Sequence, residues 1–255
     1  MISKVLSIAG SDPSGGAGIQ ADLKTFSALG CYGMAAMTAL TAQNTKGVRG
    51  IHQIPSEFLR EQLVCIFDDV PPDAVKIGMV GDVASIEALA ETLKKYNAKN
   101  IILDPVMVAT SGDQLITDEA VEALKAHLIP LAYLITPNMH EAALLGSTDA
   151  EALLATGAKA VLVKGGHKDA DDCEDVLATS DGVVRFCAPR IKSKNTHGTG
   201  CTLSSAIASY VALGLSLPEA VKQAKDYVTN AIAHADELEV GQGAGPVHHF
   251  WGKWS

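Results

Sequence analysis

The sequence predicts an α/β fold: a three-layer sandwich whose central, mostly parallel sheet is flanked by helices. Three observations predict it. Apolar β-like runs alternate with amphipathic helical stretches along most of the chain. The residues that follow the apolar runs are polar and rich in glycine, as expected where ligands bind beyond the carboxyl ends of parallel strands. The 255 residues are 47% hydrophobic, ample for a buried core, and no repeat, low-complexity tract or linker divides them, so residues 1–255 are read as one domain.

In order, "KVLSIAG" opens the sheet and "GIQADLKTFSALG" follows as an amphipathic helix. "GMAAMTALTAQ" is the second apolar run and ends at Gln43. "SEFLREQLVCIFDDV", "DAVKIGMV", "VASIEALAETLKKY", "KNIILDPVMV", "DEAVEALKAHLIP" and "AYLITPN" continue the alternation of helix and strand. After "KAVLVKGGH", the segment "EDVLATSDGVVRFCAP" places Asp181-Gly182 between two β-prone runs and reads as a hairpin. Two helices, beginning near Gly200 and Leu217, complete the fold.

Composition excludes several classes of function. A formal charge of −9 with scattered lysines offers no basic stripe, so no nucleic-acid partner is expected. Five cysteines, odd in number and without a C-x-x-C pair, argue against a disulfide framework and a zinc site and suit a reducing cytoplasm. "MISKVLSIAG" is too short and too soon interrupted for a signal peptide, and no apolar stretch reaches the ~18–20 residues of a membrane span. The adjacent His248 and His249 have no partner at ligand spacing and read as packing or surface residues.

Several stretches carry chemistry. Gly16-x-Gly18-x-x-Ala21 formally matches a dinucleotide fingerprint. Cys31 to Asn44 lacks the acidic residue that would hold a ribose, which disfavours NAD binding. Asp22 lies at the edge of its helix's inward stripe, beside Ile19 and Phe26, and bonds either to loop amides or to a ligand. Gln43 is either an ordinary loop residue or an amide suited to the edge of a nitrogen heterocycle. Asn138-x-x-Glu141 is a capping box, with Thr148-x-x-Glu151 as a second candidate. Asp104 closes the strand "NIIL" and either helps to hold a metal or caps a loop. Lys164 ends "AVLV" next to Gly165-Gly166-His167, and is a phosphate ligand or a loop lysine.

"NTHGTGCT" contains no Walker lysine, yet Gly198, Thr199 and Gly200 lead into a helix start of small residues, an arrangement that favours an anion. Cys201, in the first turn, is expected to have a lowered thiol pKa. It is a candidate base or anion-hole member, against the alternative of a small buried cysteine.

"IAGSDPSGGAGIQADLKTFSALG", "TALTAQNT", "KIGMV", "ILDPVM", "LITPN", "VLVKGGH", "KNTHGTGCT" and "EVGQGAGPVHHFW" together resemble the hydroxymethylpyrimidine and phosphomethylpyrimidine kinases of thiamine biosynthesis, within the ribokinase-like superfamily. The resemblance spans nearly the whole chain in order. It implies a kinase that uses ATP and Mg²⁺ to phosphorylate 4-amino-5-hydroxymethyl-2-methylpyrimidine and then its monophosphate. It implies a pyrimidine pocket lined by Gly10, Asp22, Gln43, Met79 and Val106, with Gln43 separating this group from pyridoxal kinases. It further implies that Lys164 binds the transferring phosphoryl group, that Glu141 and Asp104 organise Mg²⁺, and that Gly198 to Cys201 form the anion hole. A homodimer is implied as well. One departure stands out: between Leu145 and Ala158 the chain is shorter than the helical insertion of that family.

Overall fold

The computed structural model of the chain describes residues 1–107, 116–165 and 172–254. Gly166 and His167 of the "VLVKGGH" motif lie outside the described residues. An eight-stranded sheet runs in the order β10-β9-β8-β7-β6-β5-β1-β2. Its strands are β1 (Lys4–Ala9), β2 (Tyr32–Met37), β5 (Ala74–Ile77), β6 (Ile101–Leu103), β7 (Leu134–Ile135), β8 (Ala160–Val163), β9 (Asp172–Thr179) and β10 (Gly182–Pro189). Pairing is parallel from β2 to β8 and antiparallel across β8-β9-β10. The mostly parallel sheet of the sequence prediction is therefore present.

Strand side chains alternate between two cores, as a period of two requires. Leu6, Ile8, Val75, Ile77, Ile101 and Leu103 pack on one face, with Leu59 and Leu63 of α2 (Ser56–Asp69) and Ile86, Leu89 and Leu93 of α3 (Val83–Lys95). Val5, Ala74, Ile102 and Leu162 pack on the other, with Phe26 of α1 (Gly18–Ala28), Ala206 and Ile207 of α7 (Thr199–Ala212) and Val221 and Ala224 of α8 (Leu217–Ala233). The spacings i, i+3, i+4 and i+7 bring these residues to one helix face, and each large side chain buried this way is worth about 1.5–3 kcal/mol.

Local chemistry fixes the helix ends. Asp82 caps α3 by accepting from Ser85 N–H at 2.9 Å, and Lys94 and Lys95 sit in its last turn, where the dipole favours cations. The stretch read as one helix, "DEAVEALKAHLIP", is α4 (Asp118–Ala123) followed by a π turn at Leu124–Leu128 and a 3₁₀ turn at Ile129–Leu131. Pro130 has no N–H to continue the ladder.

The second apolar run is also divided. Thr38 separates β2 from β3 (Ala39–Asn44), and β3 pairs antiparallel with β4 (Gly47–Gln53) in a separate two-stranded flap. Thr38 Oγ1 donates to the Met79 carbonyl at 2.7 Å, which anchors the break. In the β9–β10 hairpin, Gly182 pairs with Thr179, so Ser180 and Asp181 form the turn, one residue before the expected position. The segment after Leu145 folds into the short helix α6 (Ala150–Leu153). Asp149, not Thr148, caps it, accepting from Ala152 N–H. The chain returns over the flap at its end: Gly243 N–H donates to Thr45 Oγ1, and His197 N–H to the Gly245 carbonyl.

Candidate active site

A cavity of about 690 Å³ opens at the carboxyl ends of β1, β5, β6 and β8, between the flap and the amino end of α7. This is the edge at which open α/β sheets bind ligands. It is lined by Gly10, Gln43, Met79, Asp104, Val106, Asn138, Glu141, Lys164 and the segment Thr196–Cys201, so sequence positions more than 150 residues apart converge on one space.

At its centre Lys164 Nζ donates to Asp104 Oδ1 at 2.8 Å and lies 4.0 Å from Glu141 Oε2. Thr136 Oγ1 also donates to Asp104 Oδ1, and Ser204 Oγ to Oδ2 at 3.3 Å. Burial opposes the charge of Asp104, but Lys164 and Lys76 outweigh it and hold the carboxyl below its usual range. Burial likewise opposes the charge of Lys164, and Asp104 and Glu141 prevail to keep it protonated. Glu141 differs: burial pushes its pKa up in spite of Lys164. Part of that carboxylate serves α5 (Met139–Leu145). Asn138 accepts from the Glu141 N–H, and Glu141 Oε2 accepts from the Asn138 N–H at 2.8 Å. The capping box and a place in the cavity wall thus coexist in the same two residues.

The glycines of "HGTGC" shape the opposite wall. Gly198 has φ +79° at the N-cap of α7, and a Cβ there would collide with the Gly16 carbonyl oxygen. A Cβ at Gly200 would lie 3.4 Å from Lys164 Nζ and 3.7 Å from Asp104 Oδ2, which puts the helix start directly against the charged centre. Thr202 donates the first intrahelical bond, to Gly198, so the Gly200 and Cys201 amides precede the ladder and are free for an anion. Thr199 is a correction to the expected anion hole: its N–H and its hydroxyl both bond to the Thr196 carbonyl. The expected fall in the Cys201 pKa is not found either. Burial pushes the thiol up, with Lys76 pulling it down and Asp22 and Asp104 pushing it further up.

At the flap end, Gln43 lies beside Thr41 Oγ1 at 3.2 Å and His197 Nε2 at 3.5 Å. Gly10 fits under Met79, whose Cε would be 2.5 Å from any Cβ placed there. Asp22 is the second correction. It does not line the cavity; both oxygens lie 2.9 Å from Lys76 Nζ, and Ser205 Oγ donates to it at 2.7 Å. Its partner is thus a buried ammonium rather than a loop amide or a ligand.

The dinucleotide reading fails for a physical reason. Asp12 occupies the loop amides that a pyrophosphate would need, accepting from Ser14, Gly16 and Ala17 N–H. Burial raises the pKa of Asp12, but hydrogen bonds from His197 and Ser14 prevail and hold it at about 2. His197 Nε2 donates to it at 2.7 Å.

Among the cavity residues that sequence reasoning passed over are Asp12, His197 and Lys76. Lys76 left a signal, a charge inside the otherwise apolar "AVKI" of β5. Asp12 and His197 left none, being 185 positions apart. Elsewhere in the wall, Lys225 Nζ pairs with Asp175 Oδ2 at 2.7 Å, and Pro189, Ile191, Val228 and Ile232 add apolar lining. His248 and His249 are buried, as packing residues; burial takes the His249 pKa down to about 3.

The profile of the phosphomethylpyrimidine kinase family matches residues 12–248. A hydroxymethylpyrimidine/phosphomethylpyrimidine kinase of Escherichia coli strain K12 is 51% identical over 260 residues, covering 98% of each chain. Among solved structures, a phosphomethylpyrimidine kinase from Clostridium difficile 630 is similar at TM-score 0.80 and 47% identity, over 90% of this chain and 99% of that one. An ADP complex of a pyridoxal kinase from Bacillus subtilis is similar at TM-score 0.91 and 36% identity, over the whole of both chains.

Proposed function

The chain belongs to the phosphomethylpyrimidine kinase family, and on that premise we propose that it phosphorylates 4-amino-5-hydroxymethyl-2-methylpyrimidine with ATP, and then the resulting monophosphate, in thiamine biosynthesis. The observation that carries the reading is the convergence of Lys164, Asp104, Glu141 and the Gly200 helix start on one wall of a cavity that Gln43 also lines. Phosphoryl transfer needs positioning and charge neutralisation more than covalent help from the protein. Lys164 and the Gly200 and Cys201 amides supply the positive charge that a transferring phosphoryl group requires.

Asp104 and Glu141 suit a hydrated Mg²⁺. Two buried carboxylates share one lysine, so the set is one negative charge in excess, and magnesium usually keeps several waters beside phosphates. When bound, the ion would neutralise phosphate charge there. Gln43 would read the edge of the pyrimidine, with Met79 and Val106 against the ring. The apolar wall of Pro189, Ile191, Val228 and Ile232 would take the adenine, in keeping with the ADP bound to the Bacillus subtilis relative.

The two transfers differ chemically. In the first, a neutral hydroxyl attacks and benefits from a base, and Cys201 is the candidate. In the second, a phosphate oxygen already ionised at pH 7 is the nucleophile. The decisive experiment is to incubate the protein with ATP, Mg²⁺ and the hydroxymethylpyrimidine and to resolve monophosphate from diphosphate over time. Both products are expected in sequence, and ATP consumption without either would refute the assignment.

Likeness to the pyridoxal kinase over the full chain supports a second reading, in which pyridoxine or pyridoxal is the acceptor. Turnover of both acceptors under the same conditions separates the two. The homodimer implied by the resemblance and the cytoplasmic location that the cysteine pattern suits belong to this proposal. Among the described residues no helix is long and apolar enough to cross a membrane, and light scattering of the purified chain tests the dimer.

A further inference from the structure

Thr41 Oγ1 carries one proton and has two acceptors within reach, the Ser11 carbonyl oxygen at 2.8 Å and Gln43 Oε1 at 3.2 Å. A backbone carbonyl can only accept, so the proton goes to Ser11 and Thr41 Oγ1 is left as an acceptor toward Gln43. The other side of the Gln43 amide is constrained in the opposite sense. Burial opposes the charge of Asp12, yet its hydrogen bonds hold it at about 2, so this carboxylate only accepts. His197 Nε2, 2.7 Å from Asp12 Oδ2, therefore carries a proton, and Gln43 lies 3.5 Å from that nitrogen. With its oxygen toward Thr41 and its NH₂ toward His197, the amide would set acceptor against acceptor and donor against donor. Turned by 180°, it pairs on both sides: the NH₂ donates to Thr41 Oγ1, and the oxygen shares the Nε2–H of His197. His197 is firmly held for this purpose. Its N–H donates to the Gly245 carbonyl at 3.0 Å, its own carbonyl accepts from Val247 N–H, and its ring seats against Gly16, where any Cβ would collide with it. Gln43 stands on the two-stranded flap where the register with β4 shifts, a place at which strands re-aim side chains. Asp12, Thr41, Gln43 and His197 all line the cavity.

We propose that His197, oriented by Asp12, is a positioning residue for acceptor recognition: with Thr41 it locks the Gln43 amide, oxygen toward His197 and NH₂ toward Thr41. One N–H and one oxygen lone pair of the amide then stay free in a fixed order, suited to a heterocycle that offers a ring nitrogen beside an amino group. The proposal rests on the reading of Gln43 as the residue that meets the ring.

The orientation is read first, without substrate, by NMR of the full chain labelled with ¹⁵N in glutamine and histidine. The Gln43 side-chain signals are assigned as those missing from Gln43→Met. Their NH₂ protons are expected to show stronger Overhauser effects to the Thr41 methyl group than to the His197 ring, and the ring nitrogen shifts to place a proton on Nε2. The reverse order of intensities, or an unprotonated Nε2, would overturn the proposal. The consequence for recognition is read by a double-mutant cycle of His197→Phe and Gln43→Met, with KM for the hydroxymethylpyrimidine and kcat measured separately. With Gln43 present, His197→Phe is expected to raise KM about tenfold and to leave kcat within about twofold. In the Gln43→Met background the same substitution should change KM by less than about threefold. A purely structural histidine would give equal losses in both backgrounds, and that result overturns the positioning role. If His197→Phe does not fold, the Overhauser pattern of the unaltered chain decides in the same directions. Failure of the unaltered chain to phosphorylate the pyrimidine would refute the acceptor reading instead, and the amide orientation would still stand or fall by NMR.

Discussion

In the proposed function, Cys201, Lys164 and Gln43 would divide the chemistry of the cavity between proton, phosphate and ring, and each gives a distinct expectation. Cys201→Ser should slow the first transfer more than the second, because only the first has a proton to remove; separate kcat values for the hydroxymethyl and monophosphate acceptors check it. Lys164→Met leaves Asp104 and Glu141 facing phosphate without their shared cation, and kcat should fall by about 10²–10³ in both steps. Gln43→Met removes the amide at the flap end of the cavity, and the ratio of kcat/KM for pyridoxal over the hydroxymethylpyrimidine should rise. An unchanged ratio would place specificity elsewhere in the wall.

At the scale of elements, the proposed anion site depends on how α7 begins. Gly198→Ala would introduce a Cβ at φ +79° against the Gly16 carbonyl, with a conformational cost of about 1–2 kcal/mol before the collision is counted. Lower thermal stability and loss of activity together are expected, measurable by a melt and by ATP turnover. The α5 capping box offers a contrast. Asn138→Ala removes the acceptor of the His140 and Glu141 N–H groups, so about 1 kcal/mol of stability should go, and Glu141 should lose its fixed position. Both caps were visible in the sequence, one as a glycine pattern and one as N-x-x-E. The flap was not, because "GMAAMTALTAQ" has no turn residue at Thr38; the break depends on a hydrogen bond to Met79, 41 positions away.

For the whole molecule, burial sets the response to acid. His249 is held neutral, with a pKa near 3 against a usual 6.5, so the unfolded chain binds its proton first as the pH falls. Stability should therefore decline from about pH 6.5 down to 3, in the sense that unfolding takes up protons. Asp12 adds a loss confined to lower pH, from 3.8 to about 2, because its folded value is depressed and its contribution is present only above the unfolded one. His249→Leu should flatten the slope between pH 6.5 and 4 in urea titrations. Thr202 remains satisfied through its bond to the Gly198 carbonyl, so the comparison is clean.

Alternation of apolar runs with amphipathic helices determined the layered α/β fold, and polar residues at the strand ends determined which edge carries the site, since both follow from local periodicity. Lys164, Asp104 and Cys201 stood out as candidates for the same reason, since each ends a strand or begins a helix, whereas Glu141 read locally as a capping-box residue and became a site candidate only through the family resemblance. Tertiary structure alone decided their partners. Asp22 meets Lys76 across 54 positions and Asp12 meets His197 across 185, and no local pattern links them. A buried charge has to be satisfied, but the chain does not say by what until α1, β5 and α7 pack. The direction of the Cys201 pKa was decided there too, because burial outweighs the pull of Lys76 only once the wall around the thiol is closed.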